Sequence, residues 1–92
     1  MRKLEKIVKA NHSVYKQVKR EDHKAMYVSE DGNYEIFKVI VKPAIVIFDN
    51  ELPEREHYPG NEDFGKFAWC TRDRKRAEEI YNGIIKEEKN EN

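Results

Sequence analysis

The spacing of apolar and polar positions changes period several times along the chain, and each change marks an element. Leu4, Ile7 and Val8 fall at i, i+3 and i+4, which predicts a short helix over residues 3–10 with Asn11 to end it. In VYKQVKR (14–20), Val14 and Val18 fit either a helix or a strand face. The strand is preferred because the next segment opens a meander. KAMYVSEDGNYEIFKVIV (24–41) places Asp31-Gly32 between two β-rich runs, a hairpin signature. In its second arm Phe37, Val39 and Val41 alternate with Lys38, Ile40 and Lys42, which gives one apolar face and one mixed face.

Pro43 lacks the amide proton that a central ladder position needs, so the chain is expected to bend or bulge there. AIVIF (44–48) resumes as a strand, DNELP (49–53) reads as a turn, and EREHY (54–58) reads as a charged edge strand. Residues 59–65, PGNEDFG, carry turn chemistry. FAWC (67–70) is a last short strand with Phe67 and Trp69 on one face. Thr71 is the expected N-cap of a helix that runs through RDRKRAEEIYNGIIKEE (72–88). There Ala77, Ile80, Tyr81, Ile84 and Ile85 form an amphipathic stripe, with Gly83 on the opposite side.

These elements assemble into an α+β fold: an antiparallel sheet of four to five strands with the C-terminal amphipathic helix packed on one face, plus the short N-terminal helix. The 92 residues make one domain over 1–92, with 88–92 expected as a disordered tail.

Composition changes the picture little. Charged residues are 39% and mean hydropathy is −0.99, yet aromatics reach 11% and net charge is zero. Disordered chains are poor in aromatics and carry high net charge, so a folded domain with a heavily charged surface is expected. The longest apolar run, FKVIVKPAIVIF (37–48), is broken by Lys38, Lys42 and Pro43, which argues against a membrane span. A single cysteine and the lack of a secretory pattern make a cytoplasmic location the expectation. The charge is unevenly laid out. Residues 1–24 hold eight Lys/Arg against three Asp/Glu, and residues 25–71 hold four against nine. The simplest reading is that the two segments lie together and neutralise each other.

Site chemistry is sparse. His12, His23, His57 and Cys70 form no ligand spacing, so no metal or cofactor is expected. Cys70 reads as a small buried or half-buried hydrophobe rather than a nucleophile. Ser13 and Ser29 lie in no nucleophile elbow, and the four glycines form no phosphate loop. No catalytic residue is assigned, and the protein is read as a non-enzyme. Phe67 and Trp69 are expected in the core, with the 59–65 loop ordered and Trp69 largely buried. Tyr58 and Phe64 are expected exposed, because turn formers surround them.

One resemblance stands out. Tyr34, Glu35 and Phe37, then Tyr58, Pro59, Asn61, Glu62, Phe64, Gly65 and Trp69, follow a pattern Y-E-V-F/W, Y-P-x-N-E-x-F/W-G and a Trp strand. Over roughly residues 24–86 the chain resembles small uncharacterised proteins encoded by bacteriophages, prophages and mobile elements. The resemblance implies a setting in a bacterial cell and an accessory protein that binds a host or phage protein, with inhibition as one mode. The surface expected to do so is acidic: Glu54, Glu56, Tyr58, Glu62, Asp63 and Phe64. The alternative is a nucleic-acid-binding accessory protein that uses the basic N-terminus with Arg72, Arg74, Lys75 and Arg76. A homodimer through an edge pairing of residues 44–48 is the further partner expectation.

Overall fold

A computed structural model describes residues 3–10 and 12–85. Its centre is a five-stranded antiparallel sheet in the order β1-β2-β3-β4-β9. The strands are β1 (Ile7–Ala10), β2 (Ser13–Arg20), β3 (Lys24–Ser29), β4 (Tyr34–Lys38) and β9 (Ala68–Thr71). Between β4 and β9 the chain leaves the sheet. It forms one ribbon from β5 (Ile40–Lys42) and β8 (Arg55–His57), and a second from β6 (Ile45–Ile47) and β7 (Asn50–Leu52). A 3-10 turn follows at Asn61–Asp63, and α1 (Arg74–Gly83) comes after β9.

The β3–β4 hairpin forms where the pattern places it. Gly32 has φ +85°, a conformation that suits glycine. Asn33 N donates to Ser29 Oγ at 3.0 Å, and the Ser29 hydroxyl bonds to Asp31.

The sheet buries both faces. On one, Met26 and Ile36 pack against Ala77, Tyr81 and Ile84 of α1, flanked by Val18, Tyr34, Trp69 and Ile80. On the other, Tyr15, Ala25, Tyr27, Phe37 and Ala68 form a second cluster, closed by Leu4, Val8, Tyr58 and Phe64. The alternation of β3 and β4 divides these residues: Met26 opposes Ile36, and Ala25 opposes Phe37.

Several expectations need correction. The 3–10 segment is not a helix. Ile7–Ala10 pairs with β2, from Ile7 opposite Lys16 to Ala10 opposite Ser13, because a two-turn helix cannot satisfy itself while the sheet offers an open edge. Residues 49–53 are not all turn: Asn50–Leu52 is a strand. The helix starts two residues later than expected and ends before its hydrophobic stripe does. Asp73 is the N-cap, its carboxylate accepting from Lys75 N at 3.0 Å, while the Thr71 hydroxyl accepts from Asp73 N at 3.1 Å. Helical geometry stops at Gly83, which leaves Ile85 76% exposed. Cys70 is exposed rather than buried, because it lies on the edge strand, opposite Glu35. Trp69, on the helix side opposite Ile36, is half-buried. The tail expected at 88–92 lies outside the described residues.

The end of α1 rests on a buried lysine. Lys24 Nζ donates to the carbonyls of Tyr81 at 2.8 Å and Ile84 at 3.2 Å, and sits 4.2 Å from the Tyr81 ring centroid. A cation there satisfies orphan carbonyls and opposes the negative end of the helix dipole. Lys24→Met keeps the aliphatic stem and removes the donor, so it is expected to cost about 1–2 kcal/mol. Hydrogen exchange should accelerate first at residues 81–84. Unchanged protection there would mean that the lysine is incidental to the helix end.

Candidate interaction arm

The excursion between β4 and β9 is one hairpin, not two. Ile40 opposes His57 at its base and Ile47 opposes Asn50 near its tip, with one register throughout. The ladder is interrupted at 43–44 and 53–54, where Pro43 and Pro53 lack the N–H that pairing requires. Two prolines on facing strands therefore split the arm into a base ribbon and a tip ribbon. The break expected at Pro43 is present.

The base is fixed to the sheet. The Arg20 guanidinium donates to both oxygens of Glu56, at 2.7 and 2.5 Å, and Leu4 N donates to Glu56 Oε1 at 3.0 Å. The Glu56 side chain is only 4% exposed. Arg20 holds this carboxyl below the usual carboxylate range. Beside it, His57 Nε2 lies 3.3 Å from Asp63 Oδ2. Asp63 also accepts from Gly60 N at 2.9 Å, and this amide does most to keep the carboxyl acidic.

The loop after the arm is structural. Pro59 is fully buried, Gly65 has φ +90°, and Gly65 N donates to Ala68 O at 2.8 Å. Tyr58 enters the core instead of solvent. Its ring meets Tyr27 and Phe37 edge-on at 5.3 and 5.1 Å, and its hydroxyl donates to Glu35 Oε1 at 2.6 Å. Glu35 is buried, and desolvation raises its pKa even though the Tyr58 and Tyr15 hydroxyls hold its charge. Phe64 is half-buried against the same cluster. Of the six residues expected on an acidic surface, Glu56, Tyr58, Asp63 and Phe64 are thus committed to the fold, and Glu54 and Glu62 stay exposed.

The basic alternative is also partly neutralised. Arg72 lies 3.4 Å from the Asp31 carboxylate, Arg74 lies 4.0 Å from Glu78, and Arg76 lies 3.7 Å from Glu79. Lys75 is exposed beside them. Arg20 pairs with Glu56, so the basic N-terminal segment and the acidic middle do meet.

The tip ribbon is the feature the sequence reading missed. Ile45, Ile47 and Leu52 share one face and Val46 sits beside Glu51 on the other; exposures run from 37% at Leu52 to 68% at Val46. The turn is Phe48-Asp49, with φ +49° and +65°, the two-residue geometry usually filled by Asn-Gly. Phe48 is 94% exposed. A bulky residue held at positive φ costs about 1–2 kcal/mol. Here the strained residue offers its ring to solvent. The segment that includes Pro43 and Glu54 carries Asp49, Glu51 and Glu54 and no Lys or Arg. An apolar concavity of about 540 Å³ is lined by Ala44, Ile45, Val46, Glu51, Leu52 and Pro53.

The signal for the arm was present as paired prolines flanking AIVIF and NEL. A Phe-Asp turn does not announce itself, and NEL has no β signature. Among the described residues no group of three His, Cys, Asp or Glu side chains is arranged to hold a metal ion, and no helix is long and apolar enough to cross a membrane. The chain matches no family model, no curated protein and no solved structure.

Proposed function

We propose that this protein is a non-catalytic interaction module of phage or mobile-element type that grips another protein with the tip of its arm, in the manner of an inhibitor. The observation that carries this reading is Phe48: 94% exposed, at positive φ, and continuous with exposed Val46, Ile45 and Ile47. Strained residues persist where function maintains them, and aromatic anchors are common among binding hot spots. Contiguous apolar surface of this kind on a small charged domain marks a contact site. Of the acidic surface expected from the sequence, Glu54 lies on the arm, where the exposed Asp49 and Glu51 join it, and Glu62 is exposed in the turn that follows.

The test separates stability from binding. Phe48→Asn places a residue that tolerates the left-handed region at the turn, so the melting temperature is expected to hold or rise, by up to about 1 kcal/mol equivalent. Capture of the partner from a nuclease-treated bacterial lysate is expected to fall at least ~10-fold, as for loss of a hot-spot aromatic. Equal capture by the variant sinks the arm as the contact. Capture that vanishes with nuclease would instead favour nucleic-acid binding through Arg72, Arg74, Lys75 and Arg76.

A further inference from the structure

The helix covers only part of its sheet face. It packs on β3, β4 and β9. Val18 and Lys19 at the end of β2 meet the helix, but among the described residues no element packs on the rest of that face, on β1 and the first half of β2. Ile7 opposes Lys16, Lys16 opposes Val28, and Lys9 opposes Val14, so these five side chains share the surface beside the helix. Ile7 is 58% exposed, Lys9 and Lys16 are exposed, and Val14 and Val28 are half-buried. Neither strand carries an acidic residue. Lys19 at the inner margin is engaged by Glu78 at 3.4 Å, and no ion pair of Lys9 or Lys16 is recorded among the described residues.

We infer that the arm of one copy docks on this bare β1–β2 face of a second copy, and that the exchange is reciprocal. The inference rests on the reading of the arm as a contact surface and gives a second copy as what covers the arm in the isolated protein, to be displaced when the arm grips another protein. Two observations carry it. The two surfaces match in kind, since the arm presents aliphatic groups and Phe48, and the face presents Ile7, Val14 and Val28. They match in charge, with Asp49, Glu51 and Glu54 on the arm against Lys9 and Lys16 on the face. A reciprocal exchange closes as a two-fold dimer, whereas one-way docking would leave a free arm and a free face to propagate an open chain.

Sedimentation equilibrium of the full chain over a wide concentration range tests this with two charge reversals. The face variant is Lys9→Glu with Lys16→Glu, and the arm variant is Asp49→Lys with Glu51→Lys. All four positions are exposed, and thermal melts establish that both variants fold. The wild type is expected to be dimeric. Each variant alone sets like charges against each other, and its dimer dissociation constant should rise roughly 100-fold or more. Mixing the two variants should restore a dimer, now mixed, because each arm again meets an opposite charge. An unfolded variant would not be rescued, so rescue cannot arise from misfolding.

A wild type that stays monomeric at every concentration overturns the self-docking inference. It leaves the contact role of the arm to the Phe48→Asn capture experiment. A dimer untouched by the face reversal also overturns it, and favours pairing of residues 44–48 edge to edge.

Discussion

Phe37→Ala is expected to lower the unfolding free energy by about 4 kcal/mol, the upper part of the range for deleting a core aromatic. Phe37 is fully buried near the middle of the sheet, with Ala25 and Ala68 directly opposite it on β3 and β9. Those two alanines make the room the ring occupies. Tyr27 stacks on it at 5.8 Å and 16°, and Tyr58 meets it edge-on at 5.1 Å. Removing the ring leaves a space that two methyl groups cannot close and breaks two aromatic contacts together. A domain of this size has only about 5–15 kcal/mol to lose, so urea unfolding should show a marked drop in midpoint. Phe37→Leu, which keeps most of the volume, should cost far less. A loss below ~1.5 kcal/mol for the alanine variant would mean that the cluster collapses around the gap and is packed more loosely than its geometry indicates.

Glu56→Ala is expected to cost about 3 kcal/mol at neutral pH, and the cost should vanish in acid. The carboxylate is nearly buried, accepts two bonds from Arg20 and one from Leu4 N, and ties the arm and the N-terminal segment to β2. Removing one partner strands the other in a place only 21% open to water for Arg20, the costly way to break a partly buried pair. The pH sign follows from the depressed folded value. Glu56 contributes its stability in full above the ordinary carboxylate value of about 4.3, and loses it as pH falls through the lower folded value. The gap between wild type and variant should therefore be widest near neutrality and shrink steadily below about pH 4. Glu35 titrates with the opposite sign, since burial raises its folded value and ionisation works against folding. It is present in both proteins, so the difference between them isolates Glu56. A gap that stays constant with pH would show that Glu56 matters for packing and not for charge.

How far the sequence carries depends on where each signal resides. The β3–β4 hairpin was legible because Asp31-Gly32 and alternating side chains are local, and Gly32 adopts the positive φ its position requires. The helix was legible from Ala77, Tyr81 and Ile84, all buried, although its ends were not. Its hydrophobic stripe continues to Ile85, but helical geometry stops once Lys24, far away in sequence, takes the last carbonyls. The N-terminal strand was misread because i, i+3, i+4 spacing in eight residues is weak beside a free sheet edge.

The candidate site shows the same division more sharply. Tyr58, Glu56 and Asp63 look like an exposed polar segment in sequence, with turn formers around them. Their roles are set by Glu35, Arg20 and Gly60, and only the first two are distant along the chain.

The sequence by itself determined an α+β domain, the central hairpin, the amphipathic helix and the absence of catalytic spacing, because each rests on local periodicity, turn chemistry or motif. Tertiary structure alone decided which charges are spent inside the fold and which apolar residues are left out of it. AIVIF reads as core in any hydropathy scheme. It lies outside the core because Pro43 and Pro53 interrupt the ladder on facing strands, and because β9 takes the place beside β4. A strand's burial is a property of its neighbours, and no residue within the strand encodes them.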